Sequence, residues 1–271
     1  MAKNTEVTFD KFLENKNIAF GLSAYLSPNE VERYIADVRT VFELDAKIRR
    51  AIQSEEGQTA AYAAIKSAAS MGLSLNPALK QCYLSTYKNA RKTESAGYEI
   101  YDVTAVPQKA GYIVMATKTG QISFLTSGLV YKNDIVEYKK TASGDIWNLT
   151  EDLDDRGELR GAYAMMTLSS GRDSVYYMSV KAIEKHREDW HSRKYNGKYT
   201  DTAWWDPKTF PAMGEKTCLK YLCEKNNIPV IEEIRQPDYY IQESAPMSPA
   251  EEIAADIKNE QSAEQAGSDM F

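Results

Sequence analysis

The stretch from Gln58 to Tyr87, QTAAYAAIKSAASMGLSLNPALKQCYLSTY, constrains the fold more than any other part of the chain. Ala60, Ala61, Ala63, Ala64, Ala68 and Ala69, with Tyr62, Ile65, Met71 and Leu73, predict a helix whose small side chains let a neighbour approach closely. Gly72 suits its C-terminal end, and Asn76-Pro77 stops any continuation. Gln81 to Tyr87 then predicts a strand, with Tyr83, Ser85 and Tyr87 on one face and Cys82 and Leu84 on the other. The unit is helix, sharp turn, strand. Pattern alone makes it a core helix with an αβ turn and assigns it no function.

Upstream, the residues to about Lys16 are polar and read as frayed, with Phe9, Phe12 and Leu13 able to dock as an amphipathic start. Ser27-Pro28-Asn29-Glu30 opens a helix, and Val31, Tyr34, Ile35, Val38, Val41 and Phe42 recur at helical spacing that Leu44, Ile48 and Ile52 continue. Glu55 to Gln58 reads as a turn before the central helix. Downstream, Lys88 to Gly97 connects the first strand to a second, Tyr98 to Val106, as a long hairpin with a basic tip. A short helix follows from Tyr112 to Lys118, capped by Gly120. Gln121 to Tyr138, Asp145 to Thr150, Leu159 to Leu168 and Ser174 to Val180 predict an antiparallel β-meander. Lys181 to Arg193 and Phe210 to Asn226 return to helical period. The expected fold class is α+β, with a helical N-terminal third, a central antiparallel β-meander with a long hairpin, and C-terminal helices. The expected division is a partly flexible segment 1–29, one domain 30–235, and an acidic disordered tail 236–271.

Charge is unevenly spread. Of the net −6, Gln242 to Phe271 contributes seven acids against one base, which is −6, so the remainder sums to about zero and a basic groove on it is permitted. Ser244 to Phe271 is rich in Ala, Glu, Gln and Ser and too poor in large apolar residues to build a core. Asp269-Met270-Phe271 could enter a partner with a basic rim and an apolar pocket, or serve only as a solubilising end. No apolar run is long enough for a membrane helix and the start lacks a secretory pattern, so the expectation is a cytoplasmic protein without membrane contact. The odd number of cysteines, Cys82, Cys218 and Cys223, fits reduced thiols, and with His186 and His191 they make no zinc spacing.

The cations carry the chemistry. Lys88, Arg91 and Lys92 on the hairpin are either phosphate contacts or a solvated loop. Lys181, Lys185, Arg187, Arg193, Lys194 and Lys198 interleave with Trp190, His191, Tyr195 and Tyr199, which supplies cations for phosphates and flat rings for unstacked bases. The alternative is a surface helix and a loop whose Trp204 and Trp205 pack inward. Lys216 and Lys220, four apart, emerge on one helix face. The acidic run Glu151 to Asp155 invites a metal-nuclease reading, or a solvated turn, and no partner cluster accompanies it.

The order Gly72-Leu73-Ser74-Leu75-Asn76-Pro77, Gly111-Tyr112-Ile113, Lys118-Thr119-Gly120-Gln121, then Met213 with Lys216-Thr217 and Lys220, resembles the RecT family of phage single-strand annealing recombinases from about Tyr34 to Val230. Two positions depart from that family's pattern. Lys109-Ala110-Gly111 displaces a cation by one residue, and Glu215-Lys216-Thr217 replaces a lysine pair. The resemblance implies a non-hydrolytic protein with no cofactor, needing neither metal nor nucleotide. Its copies would assemble as homo-oligomeric rings or helical filaments, hold single-stranded DNA along a basic groove, and let a complementary strand pair into an annealed duplex intermediate. It further implies a bacterial host cytoplasm, and a phage exonuclease and a host single-strand-binding protein as partners through the C-terminal tail. Lys118, Lys216, Lys220 and Lys109 are carried over as DNA contacts by motif position; Lys88, Arg91, Lys92, Arg187, Arg193 and Lys194 follow from charge and order. Against this stand a self-assembling phage structural protein and a metal-dependent nuclease, which DNA binding and divalent-metal dependence would separate.

Overall fold

The computed structural model describes residues 9–13, 16–192, 194–195, 197–199 and 202–230. They form two compact units, divided between Met115 and Ala116.

In the first unit, helices α1 (Phe9–Leu13), α2 (Lys16–Leu22), α3 (Pro28–Leu44), α4 (Ala46–Ala51) and α5 (Glu55–Ser70) precede an antiparallel pair, β1 (Cys82–Lys88) and β2 (Tyr101–Pro107). The amphipathic start docks, with Phe12 and Leu13 buried and the Phe12 ring stacked on Phe42 at 5.7 Å. Residues 1–8 lie outside the described set. α3 opens at the expected place, where the Glu30 carboxylate accepts from the Ser27 amide at 2.8 Å and from its hydroxyl at 2.6 Å. The apolar period through Leu44, Ile48 and Ile52 hides a break. Asp45 is extended and its carboxylate accepts from the Lys47 amide, so it ends α3 and caps α4, leaving Leu44 72% exposed. Glu55 to Gln58 is likewise no turn. It is the first turn of α5, capped by Ser54, whose Oγ accepts from the Gly57 amide at 3.1 Å.

α5 buries Ala61, Ala64, Ile65, Ala68 and Ala69 and packs on β2, where Val103 and Ala105 are buried. The alanines permit that approach, and each fully buried large neighbour such as Ile65, Leu73 or Leu75 adds roughly 1.5–3 kcal/mol. Gly72, at φ 66°, ends the helix as expected. The loop beyond it is tied on both sides. Asp37 of α3 accepts from the Ser74 hydroxyl (3.2 Å) and the Asn76 amide nitrogen Nδ2 (3.0 Å), and Tyr34 donates to the Leu73 carbonyl (3.1 Å). The Gln81 side chain accepts from the Ser74 amide at 2.9 Å.

The hairpin shows the predicted alternation, with Cys82 and Leu84 buried and Tyr83 and Tyr87 exposed. Its connection contains a helix that periodicity did not reveal, α6 (Ala90–Ala96), capped by Asn89 accepting from the Lys92 amide and closed by Gly97 at φ 75°. The second strand starts at Tyr101 instead of Tyr98. α7 (Lys109–Lys118) begins three residues ahead of Tyr112 and ends at Gly120, φ 69°.

The second unit carries β3 (Ile122–Tyr131), β4 (Ile135–Thr141), β5 (Gly144–Thr150), β6 (Leu159–Leu168) and β7 (Asp173–Ser179). The antiparallel strands expected there are present, and they group as a three-stranded sheet β3-β6-β7 with β4–β5 as a hairpin inserted between β3 and β6. Helices α8 (Val180–His191), α9 (Thr202–Trp205) and α10 (Phe210–Lys225) follow, with two short strands, β8 (Lys194–Tyr195) and β9 (Lys198–Tyr199), between α8 and α9. One sheet face meets α10, where the Cys218 thiol donates to the Ala162 carbonyl (3.3 Å) and Tyr176 packs on Tyr221 (5.4 Å). On the other, the paired Tyr163 and Tyr177 rings carry Trp147 of β5 at 5.0 and 6.1 Å. The cysteines are buried thiols, and burial, then Glu224, pushes Cys223 up to about 12.

The acidic run belongs to a locked turn. Fully buried Asp134 accepts from the Tyr131 and Asp152 amides at 2.8 and 3.2 Å and from Nε and one terminal nitrogen of the Arg156 guanidinium. Arg156 also pairs with Glu151 at 3.2 Å, while the Asp152 carboxylate caps the Asp154 and Asp155 amides. Burial pushes the Asp134 carboxyl up, but the guanidinium and the two amides outweigh it and hold it below the usual range. Among the described residues, no group of three or more His, Cys, Asp or Glu side chains is placed to hold a metal ion, and no helix is long and apolar enough to cross a membrane.

Candidate nucleic-acid interface

In the first unit the hairpin cations are partly neutralised at home. Lys88 pairs with Glu99 at 2.7 Å and Lys92 with Asp102 at 2.9 Å. Hydrogen bonds from Lys88 and then Tyr101 hold Glu99 below the usual carboxylate range. The Arg91 side chain lies outside the described set. Lys109 is half-buried at the start of α7, and the Gln108 amide beside it donates to the Gln81 carbonyl at 2.8 Å. That bond adds one step beyond the Cys82–Pro107 pair at the end of β1 and β2, and Lys80 and Lys109 are the residues next in sequence on either side of it. Lys80 is exposed and left-handed, at φ 49°, a position that no sequence pattern distinguishes.

In the second unit Lys118 is exposed at the C-terminal end of α7, followed by Gly120. α10 buries Gly214, Thr217, Cys218, Leu219, Leu222 and Cys223 against the sheet and leaves Lys216 and Lys220 half-buried. Glu215, where the family pattern has lysine, accepts from the Ser127 hydroxyl of β3 at 2.9 Å, so this carboxylate ties α10 to the sheet. Lys220 bears on His186 of α8. Burial first, then the charges of His191 and Lys220, push that imidazole down to about 4.

Rings gather beside these lysines. Trp204 is buried, with His191 stacked on it at 4.7 Å and His186 at 5.3 Å, and Tyr221 approaches the His186 Nδ1 at 3.4 Å. Trp205 stacks on Tyr199, while Arg187, only 18% exposed, lies over Trp205 at 4.2 Å and 3.9 Å from Glu184. Lys194 is exposed, and Trp190 is 39% exposed. Arg193, the Tyr195 side chain and the acidic tail lie outside the described residues. Trp204 and Trp205 therefore do pack inward, and the cations around them divide into solvent-facing and ring-held sets.

Helices packed with small antiparallel sheets, with cations and stacked rings on several of them, make this an α+β protein. The particular lineage follows from sequence. The RecT family model matches residues 45–255, well over half of the chain, and the chain belongs to the RecT family. Membership makes it a single-strand annealing protein of DNA recombination, of a generally non-hydrolytic class that binds single-stranded DNA. No curated protein matches the chain.

Proposed function

We propose that this protein binds single-stranded DNA without reading its sequence and anneals complementary strands with neither nucleotide nor metal. Membership of the RecT family carries this reading. Phosphate neutralisation supplies affinity independent of sequence, and bases held unstacked but exposed lower the ordering cost of pairing. Copies assembled side by side as rings or helical filaments multiply a few weak contacts per protomer by effective concentration. A chain of net charge −6 can therefore still hold DNA.

Lys118, Lys216 and Lys220 are the proposed phosphate contacts, with Lys109 and Lys80 at the base of the hairpin. Lys88, Arg91 and Lys92 extend the set, the two lysines exchanging their carboxylate partners for phosphate. Arg193 and Lys194 are further proposed phosphate contacts, and Arg187 contributes through the rings it supports. The protein works in a bacterial cytoplasm during phage recombination, and its tail recruits an exonuclease or a single-strand-binding protein.

The test adds two complementary labelled oligonucleotides in succession, in EDTA and without nucleotide, and images the particles by electron microscopy. Faster pairing inside rings or filaments is expected. Oligomers that give no acceleration at any salt would overturn the reading in favour of a structural role, and strand loss only on adding magnesium would favour a nuclease.

A further inference from the structure

The β8–β9 hairpin docks on α8, α9 and α10 through a layered stack. Tyr199 and Trp205 lie parallel, centroids 3.6 Å apart and planes 4° apart. The Arg187 guanidinium sits 4.2 Å from the Trp205 ring and 5.0 Å from Phe210. The Lys194 ammonium lies 4.5 Å from the Tyr199 centroid. Each face of a ring at van der Waals spacing admits one neighbour, so Arg187 takes the rear of Trp205 and Lys194 the outer face of Tyr199. The order is Phe210, Arg187, Trp205, Tyr199, Lys194. The indole N–H of Trp205 donates to the His191 carbonyl at 2.8 Å, which fixes the ring by its edge as well.

The inner end of this stack is closed by Phe210, and among the described residues the outer end is covered by one exposed lysine. An exposed ammonium over a tyrosine is a weaker partner than a nucleobase laid flat on the ring. The ammonium also has a better alternative once a strand arrives, because a phosphate accepts its charge-assisted hydrogen bonds. Both exchanges favour the same outcome.

We propose that the outer face of Tyr199 seats one unstacked nucleobase of a single strand, and that the base displaces the Lys194 ammonium onto a flanking phosphate. The proposal rests on the single-strand reading above and adds a base contact to its phosphate contacts. Arg187 and the His191 carbonyl are positioning groups, since they hold Trp205, and through it Tyr199, in place before the strand arrives. A ring face offers no hydrogen-bond readout, so the seat takes any base.

The full-length protein is titrated with a labelled oligodeoxyadenylate and with an abasic strand of equal length and charge, across a range of salt. Tyr199→Leu is expected to weaken binding of the base-bearing strand roughly tenfold, leaving abasic affinity and salt slope unchanged, and Tyr199→Trp to retain the preference. Lys194→Gln does the converse, lowering the salt slope by about 0.7 while keeping the preference for bases. Equal weakening on both strands by Tyr199→Leu would make the ring a mere anchor of the hairpin and overturn the seat. So would an unaltered preference, with annealing by the parent protein left standing. A parent that binds neither strand overturns the single-strand reading itself. Photocrosslinking of a 5-iodouracil strand to the parent protein needs no variant to fold, and absence of Tyr199 from the crosslinked residues would also defeat the proposal.

Discussion

At the scale of single residues, two glycines of the family motifs have different reasons to be there. A Cβ on Gly111 would stand 2.1 Å from the Gln81 carbonyl oxygen, whereas one on Gly120 would meet nothing within 4 Å and suffers only from φ 69°. Gly111→Ala is therefore expected to cost about 2–3 kcal/mol through forced displacement of α7, and Gly120→Ala only about 1 kcal/mol through backbone strain. Urea midpoints of the two variants check the order. His186 gives a pH signature. Its folded value near 4 lies below the unfolded 6.5, so between them the unfolded chain binds a proton that the folded chain refuses. Stability is full above that window and is lost as pH falls through it, by on the order of 3 kcal/mol. Replacing His186 with Phe should make the parent-minus-variant stability difference fall between pH 7 and pH 4, because only the parent carries the titration, and a difference that stays constant with pH would exonerate the imidazole.

At the scale of elements, what was legible in the sequence was whatever is encoded locally. α3 announced itself because Ser27, Pro28 and Glu30 form its opening within one turn, and α10 because its apolar residues share one stripe. The break at Asp45 was hidden because a side chain capping the amide two residues on does not interrupt the apolar period. α6 was hidden because seven residues carry too little period, although Asn89 and Gly97 bracket it and could have been taken as a cap pair. The sheet order and the ring stack were out of reach for a different reason. Alternation identifies a strand without naming its partner, and Arg187, Tyr199 and Trp205 come from α8, β9 and α9, which are separate in sequence. Among the candidate contacts, charge and motif position nominated the lysines, but their burial and home partners are tertiary facts. The Asp134 lock belongs here too. Asp134→Ala would strand two amides and leave the Arg156 guanidinium only Glu151 and the Leu129 carbonyl, so the turn joining β3 to β4 should loosen at a cost of about 2–4 kcal/mol. Thermal unfolding and faster amide exchange at Tyr131 and Asp152 would register it.

At the scale of the whole molecule, affinity for DNA is a sum over protomers. Lys216→Ala with Lys220→Ala should lower the salt slope of single-strand binding by about 1.4 per protomer, at roughly 0.7 for each phosphate left unneutralised. A double variant that anneals like the parent with the same slope would make both lysines structural. Truncation after Pro249 is expected to spare annealing by the purified protein and to reduce recombination in cells, and loss of annealing in the tube would contradict a separable tail. The inserted β4–β5 hairpin bears on how the second unit is made at all. β3 must find β6 across everything from Lys132 to Glu158, a separation that ordinarily slows strand pairing. Its local contacts favour closure of the hairpin first, through the contiguous ladder from Ile135–Thr150 to Thr141–Gly144. What remains to be closed is only the short link on each side, which the Asp134–Arg156 pair then fastens. Extra residues spliced into the hairpin tip at Ala142–Ser143 should thus leave the refolding rate almost untouched, while the same residues placed between Arg156 and Glu158 should slow it.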